Sequence, residues 1–184
     1  MTNKFDYYYW PKLFSHNQLL ELHSIFNKTH IKNVIDEPAK DVTKISSIKF
    51  SRWVNLKNYL HSLEQSLLLV NQEHFGYNIW PQFDDNNILL NEYDGNIKAE
   101  YDWHHDSSNS HVHDIKFTIL INASVKKYKG GEFNLFLNRP IHIDKLDNPG
   151  DVLMFKSNIC HKVNPITSGK RHSITLFYRG SKFI

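Results

Sequence analysis

Gly76 divides the chain into two parts with different hydrophobic rhythms, and that change limits the fold more than any other feature of the sequence. Before it the rhythm is helical. Ser15-His16-Asn17-Gln18 has capping-box spacing, in which Ser15 accepts from the Gln18 N–H and Gln18 reaches back to Ser15. Phe14 and Leu19 stand where the matching hydrophobic staple belongs, and Leu19, Leu22, His23 and Phe26 continue one helical face. Leu56, Tyr59, Leu60, Leu63 and Leu67 predict a second helix from about Val54 to Glu73. Tyr7 to Trp10 reads as a short strand ended by Pro11, and residues 33–47, of mixed polarity, as a surface loop. After Gly76 the period drops to two. Ile115, Phe117, Ile119 and Ile121 share one strand face, as do Phe133, Leu135 and Leu137. Gly130-Gly131 and Asn148-Pro149-Gly150-Asp151 mark turns. Helices followed by roughly eight strands predict an α+β, mainly β chain: a closed or two-layer β domain buttressed by N-terminal helices.

Composition narrows the class. A chain of 184 residues with 40% hydrophobic and 14% aromatic content can bury its own core as one domain. The net charge of +3 comes without a concentrated basic stripe, so no nucleic-acid partner is expected. Cys160 is the single cysteine, which excludes an internal disulfide and fits a reducing compartment. The N-terminus lacks the apolar segment of a signal peptide, and Leu67-Leu68-Leu69-Val70 is too short to span a bilayer. A cytoplasmic protein without a membrane partner is the expectation.

Two constellations carry chemistry. His104-His105-Asp106 and the distant His161 supply two histidines and one carboxylate, the ligand set of an iron(II) centre that keeps open coordination positions. In a strand His104 and Asp106 project together, with Trp103 and His105 on the other face. The separation of 55 positions from Asp106 to His161 leaves room for several strands. His142-Ile143-Asp144 repeats the pattern, but it precedes His161 too closely to wrap a barrel around a metal, and it reads as a strand with exposed polar positions. His111, His113 and Asp114 sit among serine and asparagine and read as a loop near substrate or solvent. The second constellation follows His161. Pro165 to Gly169 predicts a turn, and the next strand places Arg171, Ser173 and Thr175 on one face, opposite His172, Ile174, Leu176 and Tyr178. If the polar face points inward, Arg171 is a buried cation, which costs several kcal/mol (~3–5) unless paired. A small dicarboxylate is the counter-charge that a guanidinium fork matches, with Thr175 able to donate to the same group.

Together, Tyr93, Tyr101, His104-His105-Asp106, Tyr128-Lys129-Gly130-Gly131-Glu132, Pro149-Gly150-Asp151 and the run His161-Lys162-Val163-Asn164-Pro165-Ile166-Thr167-Ser168-Gly169-Lys170-Arg171 resemble the Fe(II)/2-oxoglutarate-dependent dioxygenases. The match is to the prolyl-4-hydroxylase-like group with its short bacterial and viral members, and it covers roughly Phe75 to Gly180. The resemblance implies a single dioxygenase domain over residues 1–184, with helical support to about residue 75 and a double-stranded β-helix, or jelly roll, over about 76–180. It implies that His104, Asp106 and His161 hold Fe(II), that Arg171 binds the distal carboxylate of 2-oxoglutarate, and that Tyr93 and Thr175 assist. Tyr101 and Trp103 would border the substrate entrance. O2 would be the second co-substrate and ascorbate an accessory cofactor.

The resemblance implies hydroxylation of a C–H bond with release of succinate and CO2, the leading substrate being a prolyl residue in a peptide or protein. A free amino acid or another small molecule is the alternative. Nucleic-acid demethylases of this superfamily carry a second arginine six residues after the first, where this chain has Phe177. A non-catalytic cupin-like binding module would share the ligand set and differ in forming no succinate.

Overall fold

A computed structural model describes residues 5–28, 31–32, 43–106 and 110–182. In chain order the elements are β1 (Tyr7–Trp10), α1 (His16–Asn27), β2 (Ile31–Lys32), β3 (Ser47–Arg52), α2 (Trp53–Val70), β4 (Asn87–Asp94), β5 (Tyr101–His104), β6 (His113–Asn122), β7 (Lys129–Gly130), β8 (Phe133–Phe136), β9 (Pro140–His142), β10 (Val152–Lys156), β11 (His161–Val163), β12 (Ile166–Ser168) and β13 (Lys170–Ser181). Among the described residues ten strands follow Gly76, where roughly eight were expected. The surplus lies in strands of two or three residues, such as β7 and β12, too short to display an alternation. The expected turn from Pro165 to Gly169 contains β12, and the loop expected at His113 and Asp114 is the start of β6. The loop expected over residues 33–47 falls outside the described residues as far as residue 42. Beyond that, Lys44 bridges to Tyr101 and β3 opens at Ser47.

Three sheets form. Seven strands run in the order β1-β10-β6-β13-β4-β3-β2, four in the order β5-β11-β8-β9, and β12 pairs with β7. Neighbours such as β5 and β11 are remote in sequence, as a jelly roll requires. The chain before Gly76 also contributes β1, β2 and β3 to the seven-stranded sheet.

Alternation assigns each residue of this sheet to one of two faces. Phe117, Ile119 and Ile121 of β6 and Ile174, Leu176 and Tyr178 of β13 share a buried cluster with Leu19, Leu22 and Phe26 of α1 and Leu56, Leu60, Leu63 and Leu67 of α2. A fully buried leucine contributes about 2 kcal/mol of transfer free energy, so both helices are held by this face. Leu120, Leu153 and Phe155 turn the other way and pack with Phe133, Leu135 and Val163 of the four-stranded sheet. The second cluster lies between the sheets, and the candidate site opens within it.

Local signals behave as their chemistry demands. The Ser15 N–H donates to Gln18 Oε1 at 2.9 Å, Ser15 Oγ accepts from the Gln18 N–H at 3.4 Å, and Phe14 and Leu19 are both buried. Helix α2 starts directly off β3 without a side-chain cap. Its expected last turn widens into a π turn over Asn71–Phe75, ending at Gly76 with φ of +69°, a left-handed conformation that suits glycine. The Asn71 side chain holds both the N–H and the C=O of Tyr77 there. No helix among the described residues is long and apolar enough to cross a membrane.

Candidate active site

Strands β5 and β11 pair antiparallel with His161 directly opposite His104. Asp106 follows two residues beyond His104, past the end of β5, and its N–H donates to the Ser157 carbonyl at 3.2 Å. One ligand atom from each of His104, Asp106 and His161 lies within 4.8 Å of the other two. His161 Nε2 is 3.3 Å from Asp106 Oδ2, and His104 Nε2 is 3.9 Å from Asp106 Oδ1.

The imidazoles are held in one tautomer. His104 Nδ1 lies 2.7 Å from the Asp102 carbonyl and His161 Nδ1 lies 3.0 Å from the Ile159 carbonyl. A carbonyl only accepts, so both Nδ1 atoms carry the proton and both Nε2 lone pairs stay available to a metal. Burial, reinforced by the neighbouring His161, pulls His104 down to about 3, and burial lowers His161 despite the attraction of Asp106. Both rings are therefore neutral at pH 7, the form that ligates. Tyr101 stacks on His104 with ring centroids 3.4 Å apart, and Phe155 meets His161 edge-on at 4.8 Å.

These shifts set a pH dependence for the metal-free protein. Its folded histidines stay neutral while the unfolded chain takes up protons below about pH 6.5. Stability is thus complete above that value and is lost as pH falls from about 6.5 toward the folded value of about 3. Urea unfolding of chelator-treated protein should give a lower midpoint at pH 5.5 than at pH 7.5. Equal midpoints would contradict the neutral pair.

Behind the histidines a cavity of about 220 Å³ runs between the sheets, lined among others by Tyr93, Tyr101, Leu120, Phe133, Arg171 and Thr175. Arg171 is 1% exposed and lies opposite Tyr93 in the β13–β4 ladder. Its guanidinium carbon stands 5.7 Å from the Tyr93 ring centroid. Among the described residues no carboxylate pairs with it. Burial raises the Tyr93 phenol to about 12, against the pull of Arg171, so it stays protonated and can donate. Asn91 Nδ2 donates to Thr175 Oγ1 at 3.0 Å, which leaves the Thr175 hydroxyl proton free to donate elsewhere. The cavity therefore presents a cation and hydrogen-bond donors, as a carboxylate requires.

Of the residues named from the sequence, Tyr93, Tyr101, His104, Asp106, His161, Arg171 and Thr175 all line this cavity. Trp103 does not: its ring packs edge-on against Phe136 at 5.9 Å. His142 closes β9 and pairs with Asp147 at 2.9 Å. His113 packs against Trp80, and Asp114 pairs with Lys116. Lys44, Asn91 and Thr118 also line the cavity and were not singled out. Asn91 shares the alternation of Tyr93 and was legible as a polar residue on that face. Lys44 carries no local signal.

Residues 88–179, half of the chain, match the family model of the 2OG-Fe(II) oxygenase superfamily. No curated protein gives a significant sequence match. Among solved structures, a Pseudomonas putida prolyl-4-hydroxylase aligns over 97% of this chain and 95% of its own, with 16% identity and a TM-score of 0.70. The viral collagen prolyl hydroxylase of Paramecium Bursaria Chlorella virus-1, in a 2-oxoglutarate complex, aligns over 96% and 97% with 14% identity and a TM-score of 0.69. A Trichoplax adhaerens prolyl hydroxylase, in complex with a hypoxia inducible factor peptide fragment, aligns over 96% and 84% with 21% identity and a TM-score of 0.69.

Proposed function

Since this chain belongs to the 2OG-Fe(II) oxygenase superfamily, we propose that it hydroxylates a prolyl residue presented within a peptide or protein. His104, Asp106 and His161 would hold Fe(II). Arg171, with Tyr93 and Thr175, would bind the distal carboxylate of 2-oxoglutarate. Bound Fe(II) and 2-oxoglutarate supply the oxidising chemistry, in which O2 is consumed, succinate and CO2 are released, and one oxygen atom enters the substrate.

The chain's own residues do the rest. The Asp102 and Ile159 carbonyls keep both Nε2 atoms unprotonated. The buried Arg171 fixes one end of the co-substrate, while Leu89, Leu120, Phe133 and Val163 line an apolar wall that limits water. Phe177 lines the same cavity, so the wall is apolar where demethylase relatives carry their second arginine. Tyr101, stacked on His104, would face the entering substrate. A reducing, cytoplasmic setting would keep both Cys160 and ferrous iron reduced.

The observation that carries the reading is Arg171, buried and without a carboxylate partner among the described residues, in one cavity with two neutral histidines and an aspartate. The peptide reading leans on the likeness to a prolyl hydroxylase bound to a peptide. Purified protein with Fe(II), 2-oxoglutarate and ascorbate should add one oxygen to proline-containing peptides, scored by mass, and should form succinate in step. Oxidation of free amino acids but no peptide would replace the substrate proposed. A protein that binds 2-oxoglutarate yet never forms succinate would be a binding module.

A further inference from the structure

Thr118 stands on β6, the strand between β10 and β13 in the seven-stranded sheet, opposite Phe155 on one side and Phe177 on the other. It is 1% exposed. Its neighbours Phe117 and Ile119 face the helices, so its own side chain faces the space between the sheets. There Thr118 Oγ1 lies 2.6 Å from Asp106 Oδ2. A carboxylate can only accept, so the hydroxyl donates, and the length is that of a charge-assisted bond.

Asp106 needs such support. It lies past the end of β5, so no strand ladder fixes its side chain, and its backbone is tethered through the one N–H to Ser157. The bond from Thr118 ties this unladdered ligand to a central strand of the opposite sheet. A threonine side chain has few open rotamers, so its hydroxyl has little freedom to follow a moving carboxylate. The same Oδ2 lies 3.3 Å from His161 Nε2. Whatever pins Oδ2 therefore also sets how the carboxylate is rotated toward the two histidines.

We infer that Thr118 is a positioning residue for the metal centre: its hydroxyl fixes the rotation of the Asp106 carboxylate and thereby sets metal affinity and coordination geometry. The inference rests on the reading of His104, Asp106 and His161 as metal ligands. Hydrogen bonds to metal ligands typically govern affinity by about 10–100-fold.

The test titrates metal-free protein with Co(II) and records the visible ligand-field spectrum for wild type, Asp106→Ala, Thr118→Val and Thr118→Ser. Valine keeps the branched shape and loses the hydroxyl, whereas serine keeps the hydroxyl. Thr118→Val should bind Co(II) about 10–100-fold more weakly, with a shifted spectrum, and Thr118→Ser should restore both. Affinity for 2-oxoglutarate at saturating metal should stay near wild type. Wild-type affinity and spectrum in Thr118→Val, with binding lost in Asp106→Ala, would overturn the role of Thr118 and leave the centre standing. Wild-type protein that binds no Co(II), or binds it equally well in Asp106→Ala, would overturn both. Should Thr118→Val fail to fold, Thr118→Ala against Thr118→Ser makes the same comparison: weakened binding in the alanine variant alone supports the role, and equal binding rejects it.

Discussion

Asp106→Ala is expected to remove Fe(II) retention and succinate formation together while leaving the fold intact. The size of the effect can be bounded from below. Losing a hydrogen bond to a metal ligand costs about 10–100-fold in affinity, so losing the ligand itself must cost more than about 100-fold. The two histidines left behind offer only neutral nitrogens, and no other carboxylate among the described residues joins them in a candidate metal cluster. The structural penalty is small by comparison. Thr118 loses its acceptor at about 1–3 kcal/mol for a buried donor, and the Asp106 N–H bond to Ser157 survives because it belongs to the backbone. Dialysis against Fe(II) followed by metal analysis, with far-ultraviolet circular dichroism on the same sample, separates the two effects. A folded variant that keeps iron and turns over 2-oxoglutarate normally would remove Asp106 from the ligand set.

The aspartate also illustrates what a sequence does and does not disclose. Its pairing with His104 follows from a period-two argument, yet the strand ends at His104 and Asp106 reaches the site from irregular chain held by Ser157. The two ligands converge as the spacing implies, for a partly different reason. The alternation in β6 and β13 was fully legible because one face of each strand must meet the helices and the other the second sheet. Which strands become neighbours was not legible. His161 lies opposite His104 because β11 pairs with β5 across a separation of 57 positions, and no local pattern encodes that register. Two-residue strands such as β7 were invisible for want of length. The same limit explains His113 and Asp114, whose polar neighbours read as loop although they open β6. The resemblance sets Trp103 beside Tyr101 at the entrance, yet a register shift in the β5–β11 pair interrupts simple alternation there: Tyr101 lines the cavity, while Trp103 packs onto Phe136.

Arg171→Met is expected to push co-substrate affinity and protein stability in opposite directions. In the wild-type protein the guanidinium is 1% exposed and has no carboxylate partner among the described residues. Burial of an unpaired charge costs several kcal/mol, and replacing buried ions by apolar groups of similar volume is often neutral or stabilising by about 1–4 kcal/mol. The loss of the contact with the Tyr93 ring returns about 1 kcal/mol, so the metal-free variant should unfold at the same temperature as wild type or higher. Affinity for 2-oxoglutarate should fall steeply, because truncating one partner of a buried charge pair costs about 2–5 kcal/mol, roughly 30-fold to several thousand-fold. Metal affinity should barely change, since the close approaches of Asp106 are to the two histidines and the guanidinium lies against Tyr93. Thermal unfolding with and without 2-oxoglutarate, at saturating Mn(II), reads both halves in one experiment. Wild-type protein should gain stability from the ligand by mass action and the variant should gain almost none. A residue retained only for packing would lower stability when replaced and leave the ligand response alone. A buried cation that destabilises its own fold until a dicarboxylate arrives must do the reverse, and equal 2-oxoglutarate affinity in the two proteins would take Arg171 out of the binding site.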